Sequence, residues 1–221
     1  MDQDAAVLDG PKSKMSKENL TEYGWLLHTA LSGAMKYSPK AKDENANHFA
    51  EMQDIYGSFD HYVSYGDPEC KRVLEMYACR YVPVYEASIK AASEADTAAP
   101  GVMIVDVRDF GAVDFGVIDN EIVKLHPNTV ITGYLKSDGP IGAKFGKQIS
   151  ISVITSFQKR VNLLNFKPAG LPRSPDTAVE DGCISNAPFM AHYSQAVFEA
   201  LVLPKLAEHV ASVDTSVSDP E

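Results

Sequence analysis

The chain has 221 residues, of which 45% are hydrophobic, and this is enough to bury the core of one domain. It has no run of about 18 apolar residues that could cross a bilayer, and its first residues, Met-Asp-Gln-Asp, lack the basic and then apolar pattern of a secretory signal, so we expect a soluble cytoplasmic protein with no membrane partner. The formal net charge of −10 argues against a general nucleic-acid binder, because the phosphate backbone attracts positively charged surfaces.

The N-terminal part of the chain is predicted to be helical over residues 16–95. Residues 1–15 are polar and predict a mobile arm. Apolar residues then recur at steps of three and four in successive segments, which is typical of amphipathic helices. The last of these segments starts at Asp67-Pro68, a favoured helix beginning, and Pro83 should kink it or split it in two.

The segment 102–166 is predicted to be β-rich. Asp119-Asn120 tolerates the left-handed backbone of a two-residue turn, so the runs on either side of it are predicted to form a hairpin. The glycine-containing segment 137–147 is predicted to be a long turn. The predicted strands are 102–107, 113–118, 121–125, 129–136, 148–155 and 160–166.

The strand at 148–155 has the clearest pattern in the chain. Ile149, Ile151 and Val153 alternate with Ser150 and Ser152, the period of two that is typical of an antiparallel strand with one buried face. We therefore expect the three aliphatic side chains to face the core and the two serines to face away from it.

The C-terminal part of the chain completes the predicted fold. Residues 167–188 predict a proline-rich loop, 188–211 an amphipathic helix and 212–221 a disordered acidic tail. The fold class is α+β, with a single domain over 16–211. In it, an antiparallel sheet of about five or six strands is flanked by the N-terminal helices and one C-terminal helix packed on it.

Sequence motifs that would identify a catalytic or cofactor site are incomplete. The segment Gly139–Lys147 differs from a phosphate-binding loop in its glycine spacing. It also has Gln148 after the lysine, where such a loop has Ser or Thr. The acids between Asp106 and Glu121 could form an acid–base pair or a cation site. Because their spacing is not that of a metal-binding loop, we favour the interpretation that they lie at strand ends and on solvated faces. A constellation of His192, Cys183 and Asp181 is conceivable, but it lacks the motif of a nucleophile elbow.

The three cysteines, Cys70, Cys79 and Cys183, show no metal-ligand spacing and are expected to be reduced thiols without a role. We therefore expect no catalytic residue, no metal site and no cofactor, and the sequence leaves open whether the protein is an enzyme.

A group of lysines is the best candidate for a binding site. Residues 133–173 hold seven Lys or Arg and one acid, a charge of +6, so the remainder of the chain carries −16. If 129–136 pairs with 148–155 and residues 160–166 return as a strand, four lysines meet at one end of the sheet. This basic tip consists of Lys136, Lys144, Lys147 and Lys167.

Two classes of function remain open from the sequence. The first is a non-enzymatic structural or interaction protein, for example a coat or filament subunit. It would form homo-oligomers through the basic tip and its acidic or tyrosine-rich surfaces, and the tip could also meet an anionic polymer. The alternative is a small-molecule-binding domain or enzyme with a cavity between sheet and helices, covered by the loop 167–188.

Overall fold

The computed structural model describes residues 22–35, 48–172, 179–184, 188–213 and 215. These residues separate into two compact units. The first unit comprises the described residues up to Ile89 together with Ala112–Asn120, and the second comprises Lys90–Gly111 and the described residues from Glu121 onward. The predicted N-terminal arm and most of the predicted acidic tail lie outside the described residues, and the single domain stays a prediction.

The first unit is helical, as the periodicity predicts. Its helices are α1 (Glu22–Met35), α2 (His48–Tyr65), α3 (Pro68–Ala78) and the beginning of α4 (Val82–Ser93). The predicted split near Pro83 is confirmed, because α3 ends before this proline and α4 begins one residue ahead of it. A small core joins α1, α2 and α3 through Leu27, Ala30, Ala34, Ile55, Leu74, Tyr77 and Ala78.

The second unit contains a six-stranded open sheet in the order β1-β2-β3-β4-β6-β5. Its strands are β1 (Asp96–Ala99), β2 (Val102–Asp106), β3 (Ile131–Lys136), β4 (Gln148–Val153), β5 (Gly182–Ile184) and β6 (Met190–Ser194). The pair β2 and β3 is parallel, and all other neighbours are antiparallel. The α+β class is therefore confirmed, with a sheet that is mixed and mostly antiparallel.

One face of this sheet carries the core of the second unit. Ile149, Ile151 and Val153 are buried there, as predicted from their alternation along β4. The C-terminal helical segment covers them as α7 (Gln195–Val197), a π-helical turn (Phe198–Val202) and α8 (Leu203–Ala211). Ser150 and Ser152 face away from this core, as predicted, but the expectation of a single buried face is wrong at Ser150, which is only 5% exposed because the second face of the sheet is also covered at this position.

The predicted hairpin at 113–118 and 121–125 is wrong, because this segment forms the helix α5 (Phe115–Leu125). Because β2 and β3 are parallel, they need a crossover connection, and a helix is the usual form of such a connection. The sequence supports it locally: Asp114 Oδ1 accepts a hydrogen bond from the backbone N–H of Gly116 at 3.0 Å, and Ile118 and Ile122 are buried one helical turn apart.

The predicted long turn 137–147 contains the short helix α6 (Gly139–Phe145). Its two ends are set by Gly139 and Gly146, whose φ angles of 85° and 102° lie in the region that favours glycine.

The predicted return strand 160–166 and the predicted start of the last helix at 188 are also wrong. Residues Leu163–Phe166 form a 3₁₀ helix, whose first turn begins at Asn162 with a side chain that accepts from the N–H of Leu164. The sheet is completed instead by β5 and β6, which come from segments predicted as loop and helix. Over the described residues, no helix is both long and apolar enough to cross a membrane.

A first prediction concerns the close approach of α1 and α3. A Cβ atom on Gly33 would lie 2.1 Å from the carbonyl oxygen of Tyr77, so the two helices would have to separate. We expect Gly33→Ala to lower the free energy of unfolding by about 1–3 kcal/mol. Gly57→Ala in α2 is the control, since nothing lies within 4 Å of its Cβ position, and it should raise this free energy by up to about 1 kcal/mol. Equal denaturant midpoints for the two variants would contradict the packing of α1 on α3.

A second prediction concerns the register of β4. Ile151→Ala should lower the free energy of unfolding by about 2–5 kcal/mol, because it leaves a cavity in the core of the second unit. Ser152→Ala on the opposite face removes one hydrogen bond with Thr132, whose hydroxyl lies 3.1 Å away, and should cost only about 1 kcal/mol. Urea titrations of both variants measure the difference. If Ser152→Ala proved the more damaging change, the register would be incorrect.

Candidate functional site

The face of the sheet opposite the apolar core carries a row of polar residues. Ser150 on β4 pairs with Tyr134 on β3 and with His192 on β6. Residues paired across strands project to the same side of a sheet. The row therefore brings a hydroxyl group and an imidazole together at the centre of the sheet.

Ser150 lies in a chain of hydrogen bonds that fixes its direction. Two backbone N–H groups of α6, those of Ile141 and Gly142, donate to Oε1 of Gln148 at 3.0 and 3.3 Å. The amide of Gln148 must therefore present Nε2 to Ser150, whose Oγ lies 2.8 Å away. Since this oxygen accepts from Gln148, its own hydrogen is free to point at Nδ1 of His192, also 2.8 Å away. The geometry is that of a hydroxyl donating to an imidazole base.

The electrostatic environment keeps this imidazole neutral. Burial lowers the pKa of His192, and the positive charge of Lys136 lowers it further. Burial also lowers the pKa of Lys136, against the opposing effect of Asp138. The ammonium group of Lys136 lies 6.0 Å from the centre of the Tyr134 ring, on the same polar face. At neutral pH, His192 is therefore ready to accept a proton, beside a half-buried cation.

The structure brings some residues of the basic tip toward this row. Lys136 ends β3 and pairs in register with Gln148, the first residue of β4. Lys144 is exposed on α6, and Lys147 is exposed directly before β4. Lys147 also helps to lower the pKa of Asp106, although the main cause is the hydrogen bond from Arg108. A binding role for these lysines stays a prediction.

Lys167 is not brought to the tip by a strand. It follows the 3₁₀ helix Leu163–Phe166, which begins beside Pro188, since the N–H of Leu163 donates to that carbonyl at 2.7 Å. Pro188 precedes β6 at the end where Met190 pairs with Ser152, whereas the other end of β6 pairs with Gln148. The geometric reason for including Lys167 in the basic tip is therefore lost.

The acids between Asp106 and Glu121 make mostly local contacts. Asp106 forms an ion pair with Arg108, and Glu121 pairs with Lys124 at 2.8 Å. Asp114 caps α5 and accepts from the hydroxyl of Tyr81 at 3.2 Å. These contacts give Asp106, Asp114 and Glu121 partners within the protein.

Sequence reasoning missed Ser150 and placed His192 on a helix. The period-two pattern of β4 did mark Ser150 as a residue of the second face, but nothing local showed that this face is covered. The signal for β6 was weak, since Met190–Ser194 is only five residues long and runs directly into a helix.

A different group of side chains in the first unit could hold a metal ion. His61, Asp67 and Cys70 each offer one ligand atom, and these three atoms lie within 4.8 Å of one another.

Comparisons with known proteins give a point of reference. No family model matches the chain, and no curated protein matches its sequence. The chain is similar to a solved structure described as a pGpG-specific phosphodiesterase, PggH, from Vibrio cholerae, with 12% identity and a TM-score of 0.47. The match covers 92% of this chain and 63% of the other, so this chain spans less than two thirds of that protein's length.

This comparison corrects the first of the two predicted functions. The similar structure belongs to an enzyme, which contradicts the non-enzymatic structural subunit, and we do not retain that function. Self-association and an anionic polymer at the basic tip gain no support. With a TM-score of 0.47, the likeness carries no argument about a substrate or a reaction.

A third prediction tests the coupling between His192 and Lys136. The imidazole of His192 should titrate below the ordinary histidine pKa, and Lys136→Met should raise this pKa because it removes a positive charge. Lys144→Met, at an exposed lysine on α6, is the matched control and should leave the pKa unchanged. NMR titration of the histidine ring protons measures these values. The same response to both variants would contradict the proximity of Lys136.

Proposed function

We propose that this chain is an enzyme that cleaves an ester bond in a small anionic substrate, with Ser150 as nucleophile and His192 as base. The observation that carries the proposal is the 2.8 Å contact between Ser150 Oγ and His192 Nδ1, oriented by the amide of Gln148. A weak nucleophile such as a hydroxyl requires an adjacent base within this distance.

The chemistry follows from the proton positions. The Ser150 oxygen attacks the electrophilic centre of the ester while its proton moves to Nδ1 of His192. His192 then gives this proton to the departing oxygen, which leaves as an alcohol. A water molecule next loses a proton to His192 and attacks the group bound to Ser150, and His192 returns the proton to the Ser150 oxygen. The lowered pKa of His192 suits the first step, because the base must be neutral before it accepts the proton.

The charge of the site suggests the class of substrate. Lys136 is half-buried on the same face, and an ammonium group in such an environment is stabilised by an anion. Lys144 and Lys147 add exposed positive charge on α6 and next to β4. A small ester that carries a carboxylate or a phosphate fits this arrangement. His192 contacts no carboxylate among the described residues, so its orientation depends on the strand and on Ser150.

The fourth prediction uses a fluorophosphonate probe, which reacts with activated serine hydroxyl groups. We expect the wild-type protein to be modified at Ser150, as measured by peptide mass spectrometry. This result identifies the nucleophile in the wild-type protein itself, without a variant whose folding could be disturbed. His192→Asn should slow the modification by about 10²–10⁴-fold, the usual contribution of a general base.

The matched control is Ser152→Ala, which alters a serine on the same strand and face and should leave the modification rate unchanged. Thermal unfolding of each variant separates loss of reactivity from loss of fold. A wild-type protein that remains unmodified at Ser150 would show that the hydrogen-bonded chain only satisfies buried polar groups.

A further inference from the structure

The turn between α2 and α3 places three chemically different ligand atoms together. His61 lies near the C-terminal end of α2, Asp67 is the N-cap of α3, and Cys70 lies in the first turn of α3. Gly66, with a φ angle of 66°, reverses the chain between the helices. Nε2 of His61 lies 3.4 Å from Oδ2 of Asp67, and Sγ of Cys70 lies 3.6 Å from the same oxygen.

These separations are those of ligands around a tetrahedral zinc ion. Bond lengths of about 2.0–2.3 Å place neighbouring ligand atoms about 3.3–3.8 Å apart. The contacts of Asp67 with His61 and with Cys70 already fall in this interval, and all three atoms are within 4.8 Å of one another. A small rotation of the His61 side chain, which is 53% exposed, would bring the third pair into the same interval.

The two oxygens of Asp67 have separate partners. Oδ1 accepts a hydrogen bond from the backbone N–H of Glu69 at 2.9 Å, whereas Oδ2 faces His61 and Cys70. In known metal sites, a hydrogen bond to the atom of a ligand group that does not bind the metal fixes the orientation of that group. The N-cap of α3 thus holds one carboxylate oxygen directed at the other two donors.

The fourth side of this group is open. A cavity of about 370 Å³ adjoins the three residues and is also lined by Gln53, Asp54, Gly57 and Ser58. A site with three protein ligands and one open position leaves room for water or a further ligand, unlike a closed structural zinc site. Asp54, whose carboxylate accepts from Tyr77, adds negative charge to this wall.

We propose that His61, Asp67 and Cys70 bind a divalent transition-metal ion, with Zn²⁺ as the best match to one nitrogen, one oxygen and one sulfur ligand. The fourth coordination position faces the cavity and accepts water. The site lies wholly in the first unit, so it does not depend on the proposed role of Ser150.

The test uses Co²⁺ as a spectroscopic substitute for Zn²⁺. The wild-type protein should develop the thiolate-to-cobalt charge-transfer band and the strong visible bands of tetrahedral Co²⁺, and added Zn²⁺ should remove them. Cys70→Ser should abolish the charge-transfer band. Asp67→Asn keeps an N-cap residue for α3 and should weaken metal binding by more than about tenfold. Loss of a residue that only hydrogen-bonds a metal ligand already weakens binding by about tenfold or more, and Asp67 is itself a proposed ligand.

Cys79→Ser and Cys183→Ser are the matched controls, because they remove the other two of the three cysteines. Both should retain the charge-transfer band. The proposal is overturned if the wild-type protein shows no such band, if the band persists in Cys70→Ser, or if either control loses it. Circular dichroism in the absence of metal confirms that each variant is folded before titration.

Discussion

The pairing of β4 with β3 on one side and β6 on the other is the constraint on which the second unit depends. Both faces of β4 are buried, since Ile149, Ile151 and Val153 lie in the apolar core and Gln148 and Ser150 are 1% and 5% exposed. A shift of one residue would place Gln148 and Ser150 in the apolar core and the aliphatic side chains among polar groups. Because either exchange is costly, the register is fixed, and with it the position of every polar group on the second face.

The same constraint explains why the candidate site is so fully hydrogen bonded. A buried hydroxyl or amide without a partner costs about 1–3 kcal/mol, so Gln148 and Ser150 must be satisfied once β4 is central. The α6 backbone satisfies the carbonyl of Gln148, and the remaining groups form an ordered series toward His192. An arrangement required for stability thereby orients a hydroxyl toward a neutral imidazole, which is the property a nucleophile needs.

The sequence predicts those elements whose pattern is set by burial on one face. The helices α2 and α3 and the strand β4 follow from such periodicity. The sequence fails to predict α5. The turn chemistry of Asp119-Asn120 favoured a hairpin there, and the parallel pairing of β2 and β3, which calls for a crossover connection, is not visible in this segment itself. Contacts distant in sequence were not predicted either: Ser150 and His192 are 42 residues apart, and nothing local relates them.

The two proposed sites differ in what positions their side chains, and this difference has a physical consequence. Proton transfer between Ser150 and His192 needs a fixed geometry, and neighbouring strands supply it because their register leaves little freedom. His61, Asp67 and Cys70 lie around a turn, with His61 half exposed, so their separations are less constrained. A metal ion tolerates this, since its bonds to the three ligands provide enough free energy to bring them together on binding. The rigid sheet thus suits covalent chemistry, and the helical turn suits a site that takes its final shape only when the ion binds.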